Sequence, residues 1–210
     1  MNEQIVYRTD ELENAIDYLE QAANFFENVE NPHRFKWLMI SLHGALYGFG
    51  VCAIKGSRSY HNVIKDINMK SKKVKAKKAE LESLLSEFDF DLDSMLTLNV
   101  SELISIWTVL DRCKSEEYMQ RFVHSEVLQT TSQQDHAIEK LITYRNQLAH
   151  FKPSAYGVTG DYEKDIIMPV VEVIKFLALE CNNIMYYSHE SKMRVEKALH
   201  IFKNELKKLT

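Results

Sequence analysis

An all-α fold is what this sequence predicts, and three observations carry the prediction. Apolar residues recur at three- and four-residue spacing along most of the chain. Glycine and proline are scarce, 6 and 3 in 210 residues, too few for the tight turns of an all-β sandwich or barrel. No segment alternates apolar and polar residues over a strand's length. The length suits one domain over residues 1–210, and 45% hydrophobic with 27% charged residues is an ordinary globular composition.

The first helix is expected over about 10–28, with Asp10 as its N-cap and Leu12, Ala15, Ile16, Leu19, Ala22, Ala23 and Phe26 on one stripe. Asn31-Pro32 then opens a second helix running to about Lys55. Phe35, Leu38, Met39, Leu42 and Phe49 form one apolar face of it, and Trp37, Ile40, Tyr47 and Val51 cover another. A helix apolar on most sides belongs at the centre of a bundle. Gly44, Gly48 and Gly50 inside it cost helix propensity, so they mark close approach by a neighbour.

Residues 56–125 read as a helical insertion rather than a second domain, since they carry too few apolar residues for a core. Lys70, Lys72, Lys73, Lys75, Lys77 and Lys78 form a basic run leading into a short helix with Leu81, Leu84, Leu85 and Phe88. FDFDLDSML (88–96) reads as an acidic loop, Ser101 as the cap of a helix with Leu103, Ile106, Trp107 and Leu110, and Ser115 as the start of another through Phe122. A helix from Ser132 to about Ala149 follows, closed by Pro153 and the Gly157–Gly160 loop. The last two helices are expected over 162–187, with Pro169 near its start, and from about Val195 to Leu209.

Lys plus Arg is 26 against 30 Asp plus Glu, a net charge of -4, which excludes a globally basic nucleic-acid binder and leaves only a local patch. Cys52, Cys113 and Cys181 are odd in number and widely spaced, so neither a disulfide framework nor a thiolate zinc site is expected. With no apolar leader or spanning segment in view, the expected location is the cytoplasm, without a membrane partner.

The chemistry concentrates in Tyr144-Arg145-Asn146-Gln147-Leu148-Ala149-His150. The row Ile138, Ile142 continues to Asn146 and His150, and the row Leu141 continues to Arg145, so an inward stripe turns polar at its end. Burying such groups together is costly unless they are paired, and sequences tend to break their own pattern at functional sites. The same residues also suit a simple helix C-terminal cap, where Arg and protonated His meet the carbonyl end of the dipole. His43 on the apolar second helix reads as a core histidine, and His33, His61, His189 and His200 read as surface residues. His124 and His136 flank the motif helix, where a cleft would expose them.

Arg145, four intervening residues and His150 match the R-x4-6-H motif of the HEPN superfamily, and Asn146 fits the polar position after the arginine. The opening helix pair, with FKWLMISLHGALYGF in the second helix, also resembles that family's first hairpin. The similarity covers about 10–55 and 130–187 and leaves 56–125 as an insertion between the second core helix and the motif helix. It implies an antiparallel HEPN-like bundle and a metal-independent endoribonuclease, a toxin or an antiviral or abortive-infection effector. It further implies a homodimer whose paired motifs form one cleft, with an antitoxin or defence-system protein as partner. The family's other members imply the alternative of a non-catalytic module binding a nucleotide or a protein. On the catalytic reading Arg145, Asn146 and His150 are the catalytic residues and RNA is the partner, with neither metal nor cofactor. An unperturbed imidazole titrates near about 6.5 and suits proton transfer. A guanidinium holds phosphate bidentately. Lys72, Lys73, Lys75, Lys77 and Lys78 are then an electrostatic track for the RNA backbone or a solvated face, and Tyr144 and Phe151 are candidates to stack a splayed base or simply core residues.

Overall fold

The second helix is the axis on which the rest is built. In this computed structural model, which describes residues 9–55, 60–65, 68–84, 101–150 and 157–209, α1 spans Glu11–Glu27 and α2 spans Arg34–Lys55. Leu38, Met39, Leu42, Leu46, Phe49 and Ile54 of α2 are wholly buried. By length and composition α2 is apolar enough to cross a membrane, but most of it is enclosed by the other helices of the bundle. Trp37 departs from the expected second apolar face. It is 41% exposed on the first turn, its ring stacked 6.2 Å from Phe25.

α1 lies along α2, and the glycines make that approach possible. A Cβ on Gly48 would fall 2.7 Å from the Cβ of Ala15, and one on Gly44 would fall inside the ring of Tyr18. Asp10 caps α1 as expected, accepting from the Glu13 amide at 2.7 Å. The far end of α1 is capped from α2. The Arg34 guanidinium donates to the Phe25 and Phe26 carbonyls and pairs with Glu163 at 2.8 Å, clamping three elements together.

The middle of the chain contains α3 (Lys72–Leu84), α4 (Ile106–Cys113) and α5 (Glu116–Met119). The lysine run, apart from Lys70, is inside α3 rather than ahead of it, and Val74 and Leu81 are the buried residues of that helix. α4 begins at Ile106 under a Ser105 cap, later than the expected Ser101. Leu103 belongs instead to an isolated antiparallel bridge with Ile64, and no strand is present among the described residues. α4 packs on α2, and Val63, Ile104, Val109, Leu110, Cys113 and Met119 join the one core cluster. The expected helix through Phe122 stops at Met119, and 88–96 lies outside the described residues.

α6 covers Ser132–Ala149, the span its periodicity indicated, under a reciprocal cap between Thr131 and Gln134. α7, Met168–Lys175, is flanked by π-helical turns at Glu163–Ile167 and Phe176–Glu180. The first π turn ends two residues ahead of Pro169, which has no N–H to continue an α ladder. The segment ends at Cys181, earlier than expected, and Asn182 adopts a left-handed φ of 59°. Met185, inside the span expected to be helical, is therefore 69% exposed. α8, His189–Leu209, returns against α1, where Arg194 pairs with Glu13 and Glu20.

Candidate functional site

α6 is held at its start and released at its end. The Asp135 carboxylate accepts from Lys114 and Thr130, each at 2.7 Å, and these bonds hold it below the usual carboxylate range. Ala137, Ile138, Leu141 and Ile142 bury its inner face. Past Ile142 no residue of α6 is fully buried. Tyr144 is half-buried, its ring edge-on to Phe35 at 5.2 Å.

Arg145 is half-buried, whereas Asn146 and His150 are exposed. The expected burial of all three together is thus corrected: α6 outruns the helices that cover it, so its last turns reach solvent. The Arg145 guanidinium donates to Asn146 Oδ1 at 3.0 Å. It does not cap the helix. His150 is the C-cap residue, with an extended backbone at φ −107° and ψ 134°. Phe151 lies outside the described residues.

The other described arginines are committed elsewhere. Arg34 and Arg121 donate to the carbonyl ends of α1 and α2, Arg112 to Asn62, and Arg194 to carboxylates. Among the described residues, Arg145 faces no carboxylate. The titratable group it influences is His43 of α2, 8% exposed. Burial first, and the Arg145 charge second, push the His43 imidazole down to about 4. Sequence reasoning placed His43 in the core but could not place it beside Arg145, because the two are far apart along the chain.

Two grooves run along the outer side of α6. One, about 550 Å³, lies between α4 and α6 and is lined by Trp107, Leu110, Asp111, Ile138 and Glu139 among others. The other, about 330 Å³, is lined by Glu139, Lys140, Thr143, Tyr144 and Gln147. His136 lines both, while His124 lines neither. His33, His61, His189 and His200 are exposed. Lys72, Lys73 and Lys75 are exposed on α3, Lys78 is half-buried, and Lys77 pairs with Glu80 at 2.7 Å. Burial pushes the Cys52 thiol up to about 12 and raises Cys113 and Cys181 as well, so none offers a ready thiolate. Among the described residues, no three His, Cys, Asp or Glu side chains stand together to hold a metal ion.

Comparison of the chain with protein-family models, curated proteins and solved structures finds no match.

Proposed function

We propose that the chain is a cytoplasmic endoribonuclease of HEPN type, working as a homodimer in a toxin or antiviral system. The observation that carries this reading is the state of Arg145. Its guanidinium, half-buried near the end of α6, has Asn146 as its hydrogen-bond partner and, among the described residues, no acid against it, and an exposed imidazole follows at His150. A cation left without a carboxylate is available to a phosphodiester. In the reaction the ribose 2′-OH attacks the adjacent phosphorus, forming a 2′,3′-cyclic phosphate and breaking the bond to the 5′-oxygen. His150 accepts the hydroxyl proton or supplies one to the leaving oxygen, Arg145 balances charge on the phosphorane, and Asn146 holds the guanidinium in place.

The test is cleavage of single-stranded RNA in EDTA. The wild type is expected to leave 2′,3′-cyclic phosphate ends or their hydrolysis product. His150→Ala and Arg145→Ala are each expected to lose at least about 10²-fold, and Asn146→Ala less. Full activity in His150→Ala removes the site assignment. RNA bound but never cut favours the non-catalytic reading.

A further inference from the structure

We propose that the groove between α4 and α6 is a base-binding subsite for single-stranded RNA, taking an unpaired base that carries an exocyclic amine, with Trp107 as its stacking wall. This rests on the ribonuclease reading and names the part of the substrate held away from the cut. α4 turns Ile106, Val109, Leu110 and Cys113 into the core, so its remaining faces have no packing reason to be aromatic. Trp107 nevertheless lies there, 48% exposed, beside a cavity of about 550 Å³. Such a volume is in the range of small-molecule sites. The buried Leu110 and Ile138 line it from below. One end is pinned by the 2.7 Å ion pair from Lys114 to Asp135 across the two helices, so the walls are set before a ligand arrives.

The charges select the ligand. Asp111 and Glu139 line the groove, Asp135 is already neutralised by Lys114, and His136 lies 3.8 Å from Glu139. Free carboxylates repel a phosphate, so the sugar–phosphate backbone does not enter. They accept hydrogen bonds from the amines of cytosine and adenine, which uracil lacks. An indole face stacks any base, so stacking supplies affinity and the carboxylates supply the choice. The route to the motif follows from helical spacing. His136 and Glu139 belong to both grooves, and steps of three or four residues lead through Thr143 and Gln147 to His150 on the same outer face. At 1.5 Å per residue, His136 and His150 are about 21 Å apart along α6, a span of a few nucleotides.

The experiment uses Trp107 as its own reporter. In a Trp37→Phe background it is the one tryptophan left. Hexacytidylate and hexauridylate, both 2′-O-methylated so that neither can be cut, are titrated against its fluorescence. The cytidylate is expected to quench Trp107 and to bind at least about 5-fold more tightly than the uridylate. Read instead from the fluorescence anisotropy of a 5′-fluorescein-labelled oligomer, Trp107→Ala should weaken cytidylate binding about 5- to 100-fold, the range for removing one base stack, while Trp107→Phe keeps most of it. Glu139→Gln should narrow the preference for cytidylate. Equal affinity for the two oligomers, or no quenching, overturns the proposal. RNA cleavage that depends on His150 without any quenching leaves the ribonuclease reading standing and removes this subsite. Quenching in a protein that cuts no RNA does the reverse.

Discussion

His43 places an acid-sensitive group at the centre of the bundle. Its ring lies 6.3 Å from that of Tyr47, and burial together with the Arg145 charge lowers it to about 4 from the ordinary 6.5. The unfolded chain therefore binds a proton on this residue over a pH range where the folded chain does not. Stability is full above about pH 6.5 and is lost as pH falls toward about 4, by up to about 3 kcal/mol. Urea unfolding at pH 7 and pH 4.5 should show this: His43→Leu is expected to lose less stability between the two values than the wild type, by about 2 kcal/mol. Equal losses would mean that the imidazole protonates freely in the folded state. At this scale the sequence was legible in identity and not in surroundings. It marked Arg145, Asn146 and His150 as a group, but helical periodicity shows which face a residue shares and not where the covering helix stops. The exposure of Asn146 and His150 depends on that second quantity.

Helices were legible where their own residues decide them. The spans of α1 and α6 follow from apolar stripes and from caps within three residues, Asp10 to Glu13 and Thr131 to Gln134. The late start of α4 was not, because distant groups hold Ile104 in place. Its N–H donates to Val63 at 3.0 Å and its carbonyl accepts from the Tyr47 hydroxyl at 2.6 Å, so helical bonding waits for Ser105. The packing between α1 and α2 gives a sharp test. Gly48→Ala gains up to about 1 kcal/mol in helix propensity, yet its Cβ would be 2.7 Å from that of Ala15. Overpacking of this kind costs about 1–3 kcal/mol, so a net loss of up to about 2 is expected, seen as a melting temperature lower by several degrees. Adding Ala15→Gly should restore part of it, and a Gly48→Ala variant that melts higher would refute the close packing. α3 carries a separate question. Neutralising Lys72, Lys73, Lys75, Lys77 and Lys78 should flatten the log–log salt dependence of RNA binding by about 0.7 for each single-strand phosphate that α3 no longer neutralises. An unchanged slope makes α3 a solvated face.

For the whole molecule, the geometry of one chain argues for two. Arg145 and His150 are five residues apart, which on a straight helix is about 140° around the axis. In the structure Arg145 is half-buried and acts on His43 of α2, and His150 is exposed where the backbone leaves the helix. In the proposed homodimer, a two-fold axis beside the end of α6 would set each motif against its twin, so that the arginine of one protomer and the histidine of the other could reach a single phosphodiester. Each half-site would then be inert alone, and association would become a point of control. The expectation is complementation. Chains carrying Arg145→Ala and chains carrying His150→Ala, each nearly inactive by itself, should recover measurable RNA cleavage when coexpressed, because a mixed dimer holds one intact arginine–histidine pair across the interface. The mixed species can be isolated with two different affinity tags and its cleavage rate compared with each parent. Light scattering of the wild type at micromolar concentration should give a dimer mass. A monomer cleaving at full rate, or a purified mixed dimer no more active than its parents, would show that one chain assembles the site alone or that both histidines are required together.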